Sequence, residues 1–153
     1  PRLFDPCCGS GTNLWAAAFR GGFVAGSDRD ATKADGCRRN LEHAGVAFES
    51  VGVRDASRDA LPAASDADCA VLNLPWGEKV RQTHGENDRI LANVAAHLRS
   101  GTPVACLATD GGGRDWGRLG YEVERAADVT PGTTKRGKAS FDGAATCYLL
   151  RVR

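Results

Sequence analysis

The chain has 153 residues, 42% of them hydrophobic and 25% charged, which suits one soluble domain with a core of its own. A formal net charge of +1 excludes a global basic field for nucleic acid, and no apolar run is long enough to span a bilayer. No signal-peptide pattern is read here, and with six cysteines at 7, 8, 37, 69, 106 and 147 a reduced, cytoplasmic compartment is expected.

Apolar runs alternate with helical patterns along the chain. Leu3-Phe4 ends a first strand, and a helix opens at Asn13 and runs to Phe19, stopped by Gly21-Gly22. Phe23 to Gly26 is a second strand. Ala31 to His43 is a helix with Asp30 as its N-cap and Gly45 past its end. Val46 to Val53 and Asp68 to Leu72 are the third and fourth strands. Asn87 to Arg99 is an amphipathic helix carrying Ile90, Leu91, Val94 and Leu98 on one side. Pro103 to Ala108 is a fifth strand, and a weak helical stretch follows Gly111-Gly112-Gly113. Tyr121 to Val129 and Thr146 to Val152 are the last strands, joined by a polar loop from Thr130 to Gly143. Strand–helix alternation predicts a mostly parallel sheet covered on both faces. The last two strands have no helix between them and are expected to pair antiparallel at one edge.

The cysteines form no CxxC pair and no histidine stands at ligand spacing, so no metal site is expected. Cys69, Cys106 and Cys147 lie inside apolar runs and read as small buried hydrophobes. Arginine outnumbers lysine by 16 to 4, which suits either phosphate contact or a compositional bias of the source. His43, His84 and His97 show no partner pattern. Trp15 and Trp116 read as packing residues. There is no methionine, and the chain opens at Pro1 one short step before a glycine motif, which suggests a fragment or excised domain.

That motif, Asp5-Pro6-Cys7-Cys8-Gly9-Ser10-Gly11-Thr12, is the turn from the first strand into the first helix. Ligands of open α/β sheets sit at such strand ends. Gly9 and Gly11 allow close backbone approach and positive φ. A dinucleotide fingerprint wants a third glycine where this chain has Leu14, which weakens the case for NAD. S-adenosylmethionine has no pyrophosphate and does not need that geometry. The second strand ends in Gly26-Ser27-Asp28-Arg29-Asp30, where Asp28 is placed to accept both ribose hydroxyls of an adenosine. The third ends at Arg54-Asp55-Ala56, where a carboxylate can accept from an adenine amino group. The fourth leads into Asn73-Leu74-Pro75-Trp76-Gly77. The Asn73 amide oxygen and the carbonyl near Leu74 can accept the two hydrogens of a base's amino group, Pro75 stiffens the turn, and Trp76 offers a stacking face. Cysteine chemistry on a pyrimidine is disfavoured, since Cys69 lies within a strand and Cys7-Cys8 on the cofactor loop.

These segments, with Asn40 and Ala44-Gly45-Val46 in order and spacing between them, resemble the class I S-adenosylmethionine-dependent methyltransferases that act on exocyclic amino groups. Within that class the likeness is greatest to the THUMP-associated RNA guanine-N2 methyltransferases, over nearly the whole chain. The family usually has a larger apolar residue at Cys7 and often a second proline at Leu74.

The resemblance implies a Rossmann-like class I methyltransferase fold, a seven-stranded, mostly parallel sheet with an antiparallel final strand. It implies S-adenosyl-L-methionine as cofactor, held by Asp5, Cys7, Gly9, Ser10, Gly11, Thr12, Asp28, Arg29, Asp55, Ala56 and Asn73. It implies a catalytic motif of Asn73, Leu74, Pro75 and Trp76. The implied substrate is guanine N2 in RNA, with tRNA favoured over rRNA, and the family's N-terminal THUMP module is expected upstream of Pro1. N6-adenine methylation, protein glutamine methylation and a non-catalytic interaction subunit are the rival readings. Lys79 and Arg81, and Lys135, Arg136 and Lys138, suit either phosphate contact or a solvated surface.

Overall fold

The computed structural model describes residues 1–75, 85–108, 113–129 and 145–153. Among these residues seven strands form one sheet: β1 (Arg2–Asp5), β2 (Phe23–Asp28), β3 (Ser50–Val53), β4 (Cys69–Asn73), β5 (Pro103–Ala108), β6 (Tyr121–Val129) and β7 (Ala145–Val152), in the order β3-β2-β1-β4-β5-β7-β6. Pairing is parallel from β3 through β5. β7 runs antiparallel to both β5 and β6, and the pairing of the last two strands is the one expected. Strand order reverses beside β1 and β4, and their carboxyl ends open the crevice in which such sheets bind ligands.

Among the described residues the α-helices are α1 (Thr12–Phe19), α2 (Ala31–His43) and α3 (Glu86–His97). α1 ends as the glycine pair dictates: Gly21 has φ +81°, and the Gly22 N–H returns to the Ala17 carbonyl at 3.0 Å. Asp30 caps α2, its carboxylate accepting from the N–H of Thr32 at 2.8 Å and of Lys33 at 3.4 Å. Leu14 of α1 and Cys37 and Leu41 of α2 pack with Val24 and Val51 in one buried cluster. Ile90, Leu91 and Val94 of α3 pack in a second with Phe4, Leu72, Val104 and Leu150. Leu14, where a dinucleotide fold has its third glycine, is fully buried in the first cluster.

Three expectations are corrected. β3 begins at Ser50, not Val46, because the Val46 N–H closes α2 onto the Leu41 carbonyl at 3.2 Å and is unavailable to a ladder. Residues 113–120 make turns rather than a helix: with Gly117 and Gly120 close together, Tyr121 N–H folds back to the Trp116 carbonyl at 2.9 Å. Cys147 is exposed on the outer side of β7 and Cys69 only half-buried, whereas Cys106 is buried as expected. A short 3₁₀ turn at Pro62–Ala64 was not anticipated. Trp116 is buried against Tyr148, ring centroids 4.5 Å apart, while Trp15 is 45% exposed and stacks on Phe19. Among the described residues, no helix is long and apolar enough to cross a membrane.

Gly11 has φ +90°, and a Cβ built there would lie 2.6 Å from Cys37 Sγ. Its lack of a side chain therefore serves the packing of α1 against α2. Gly11→Ala is expected to destabilise the domain by about 2 kcal/mol or more, through backbone strain plus overpacking. Urea denaturation checks this, and a loss under about 0.5 kcal/mol would contradict it.

Candidate active site

A cleft of about 250 Å³ lies at the carboxyl ends of β1, β2, β3 and β4. β1 contributes Pro6, Cys7 and Gly9 through the turn that follows it. β2 contributes Asp28 and Arg29, and the loop after β3 contributes Asp55 and Ala56. Asn73, Leu74 and Pro75 close the cleft from β4. Nine of the residues expected to hold cofactor or substrate, all of these but Pro6, thus share one cavity.

Asp28 is nearly buried, and its carboxylate is held from two sides. Oδ2 accepts from the Gly9 N–H at 2.9 Å and Oδ1 from the Asp30 N–H at 3.0 Å. Each oxygen keeps a second lone pair for a hydroxyl. Gly9 has φ +52°, and a Cβ there would meet nothing within 4 Å, so the loop leaves open space beside the carboxylate. Asp55 is anchored more locally. The Ser57 Oγ donates to its Oδ1 at 2.6 Å and the Ser57 N–H at 3.0 Å, while Arg58 Nε lies 3.2 Å from Oδ2. The Ser57 hydroxyl, followed by that N–H and Arg58, holds the Asp55 carboxyl below its usual value. Burial pushes the Cys7 thiol up, with Asp5 and Asp28 adding to the shift, so Cys7 stays a neutral thiol in the cleft wall.

Other expected residues lie elsewhere. Asp5 turns inward and is 1% exposed, accepting from the Cys7 N–H and Asn13 Nδ2, both at 3.0 Å. Its carboxylate shapes the loop from beneath. Ser10, Gly11 and Thr12 line a separate small hollow with Trp15 and Asn40. The Asn40 Nδ2 donates to the Ser10 carbonyl at 2.9 Å, which ties that loop to α2. Trp76, Lys79, Arg81, His84, Lys135, Arg136 and Lys138 lie outside the described residues. Lys33 and Ile90 also line the cleft, a place that nothing in their sequence context signals. Ile90 belongs to the apolar stripe of α3, and nothing in a stripe distinguishes a cleft wall from core. Lys33 follows the Asp30 cap by three residues, which puts it on the turn of α2 facing the end of β2.

Burial pushes the Asp5 carboxyl up from 3.8 to about 6, with the Asn13 and Cys7 hydrogen bonds opposing and the Asp28 charge adding. The folded state therefore holds this proton more tightly than the unfolded chain. Below pH 3.8 both states are protonated and Asp5 imposes no penalty. As pH rises to about 6 the penalty grows to on the order of 3 kcal/mol and then stays constant. Asp5→Asn is expected to remove this component, so the stability difference between variant and parent should shift in the variant's favour between pH 4 and pH 6.5. Urea denaturation at the two pH values measures it, and a difference independent of pH would contradict the assignment.

Residues 1–109 match the family described as UPF0020, RMKL-like, methyltransferase domain. The chain belongs to this family. Its cofactor is S-adenosylmethionine. The chain is 37% identical over 111 residues to a protein of Methanothermobacter thermautotrophicus named tRNA (guanine(10)-N2)-dimethyltransferase. That match takes in 70% of this chain and 32% of the relative, so the chain spans about a third of the relative's length. Among solved structures, TrmN from Thermus thermophilus superposes with a TM-score of 0.68 at 21% identity, covering 99% of this chain and 44% of that one. A TehB-like SAM-dependent methyltransferase from Corynebacterium glutamicum superposes with a TM-score of 0.66 at 20% identity, covering 99% and 79%. Both share the fold described above.

Among the described residues, no group of three or more histidine, cysteine or acidic side chains is placed to hold a metal ion.

Proposed function

We propose that this domain transfers a methyl group from S-adenosylmethionine to the exocyclic N2 amino group of guanine in RNA, with tRNA as the substrate. The observation that carries the reading is the meeting of Asp28 and Asn73-Leu74-Pro75 across one cleft. The name of the Methanothermobacter relative supports guanine N2 and tRNA.

The residues present fit the cofactor. Asp28, buried yet facing the cleft, offers acceptors for a ribose, and Gly9 leaves room beside it. Asp55 and Ala56 stand where an adenine edge would meet a carboxylate and a backbone amide. Arg29 and Ile90 supply the side walls. When bound, the cofactor supplies an electrophilic methyl carried on a sulfonium.

The motif after β4 does the rest. An amino group conjugated to a purine ring is a poor nucleophile, because its lone pair is delocalised. Asn73 stands exposed at the end of β4 and at the cleft's rim. Its side-chain oxygen and the Leu74 carbonyl accept the two amino hydrogens, which draws the lone pair out of the ring and aims it into the cleft. These bonds strengthen as positive charge develops on the nitrogen, so they act in the transition state. The Leu74 side chain is buried and its N–H is bound to the Leu107 carbonyl at 3.2 Å, which fixes its own carbonyl. The Cys7 thiol, kept neutral, does not compete for the methyl group. No strong base is needed, since the nitrogen's proton becomes acidic on methylation.

Recognition of a large RNA is assigned to a separate module of the whole protein, because a net charge of +1 gives weak phosphate attraction. The reading is tested by label transfer from methyl-labelled S-adenosylmethionine to bulk tRNA, duplex DNA and protein in parallel. Label in tRNA alone is expected. Label in DNA would point to adenine N6, and label in protein to glutamine.

A further inference from the structure

Helix α3 touches three of the strand ends that build the cleft. Glu86 in its first turn is 6% exposed and ion-pairs with Arg29 after β2. Asn93 Nδ2 donates to the carbonyls of Ala56 at 3.0 Å and Asp59 at 2.9 Å, both in the loop after β3. Between them, Asn87 Nδ2 donates to the Pro75 carbonyl at 3.3 Å, at the end of the motif that follows β4.

Asn87 differs from Asn93 in one respect. Its Oδ1 is buried and has no hydrogen-bond partner. The amide cannot be reversed to relieve this, because Oδ1 would then face the Pro75 carbonyl. A buried, unpaired acceptor lowers stability, and an apolar side chain of similar size would remove the penalty. A residue that is costly to the fold yet holds the backbone of the motif has its use in the motif.

We propose that Asn87 is a positioning residue for methyl transfer: its N–H₂ tethers the Pro75 carbonyl and thereby fixes the aim of the Asn73 and Leu74 acceptors. This rests on the reading of Asn73-Leu74-Pro75 as the transfer site. The tether acts on the direction of the acceptors, not on the cofactor, which the ends of β2 and β3 hold. It also makes α3 a common brace, so that the cofactor loops and the motif share one rigid reference.

Two variants separate positioning from folding. Asn87→Asp keeps the shape and loses the donor. Asn87→Leu loses both donor and orphan acceptor. In both, the single-turnover rate on tRNA is expected to fall by about tenfold or more, the usual scale for acceptors displaced by a fraction of an ångström. Cofactor affinity by calorimetry should stay within about twofold. The melting temperature of Asn87→Leu should equal or exceed that of the parent. Amide hydrogen exchange at Leu74 in the cofactor-bound protein should quicken in both variants. Unchanged Leu74 exchange would overturn the proposal, as would a turnover loss matched by equal losses in cofactor affinity or melting temperature. If the parent transfers no methyl group to tRNA, the tRNA reading falls, and Leu74 exchange alone decides whether the tether exists.

Discussion

Replacing Asn73 by alanine is expected to lower single-turnover methyl transfer by about 10²-fold or more while leaving cofactor affinity within about twofold. The side chain stands at the rim of the cleft, at the end of β4, away from the buried carboxylate of Asp28. Its acceptor matters most when the target nitrogen begins to carry positive charge, so its removal raises the barrier more than it weakens the ground state. β4 should survive the change, since Asn73 is exposed and the register with β5 is carried by backbone pairs such as Leu72 with Cys106. Circular dichroism and calorimetry on the variant supply the folding and binding controls. Turnover within a few-fold of the parent would leave Asn73 a turn residue and remove the transfer site from this motif.

The second large effect belongs to Asp28. Asp28→Ala is expected to weaken S-adenosylmethionine binding by about 1–3 kcal/mol, or roughly 5- to 150-fold, from unpaired ribose hydroxyls. The structure adds a further component. The same carboxylate holds the N–H groups of Gly9 and Asp30, so its loss also frees the loop on which the cofactor rests. Asp28→Asn keeps one acceptor oxygen and should fall between parent and alanine variant. Isothermal titration of the three proteins decides the order. Equal affinities would show that the ribose is held elsewhere.

How much of this was legible in the sequence varied with the kind of signal. α2 was bounded correctly at both ends because its stops are chemical: an Asp30 carboxylate before it and Gly45, at φ +66°, after it. β5 was likewise marked by its apolar run, Pro103 to Ala108. β3 was read too long because Val46 and Phe48 are apolar for another reason. They pack partly buried against the cluster under α2, and periodicity does not tell strand from linker. The strand-end residues of the cleft were readable because α/β topology sends every parallel strand's carboxyl end to the same side. Asp5 and Gly11 belong to the same motif, yet their side-chain directions depend on tertiary neighbours: Asn13 for one, Cys37 for the other. The roles of Ile90, Asn87 and Asn93 were not legible at all. They depend on how α3 is rotated against the cleft, which no spacing along the chain encodes.

Methylation of the N2 amino group of guanine in tRNA is the activity proposed for this cleft. The most direct measurement is nucleoside mass analysis of tRNA after incubation with the protein and S-adenosylmethionine carrying a labelled methyl group. Label is expected in N2-methylguanosine or N2,N2-dimethylguanosine, its initial rate lowered about 10²-fold by Asn73→Ala and, at limiting cofactor, lowered by Asp28→Ala as well. Label in N6-methyladenosine or in a carbon-methylated pyrimidine, or guanosine labelling at the parent's rate in both variants, would contradict this.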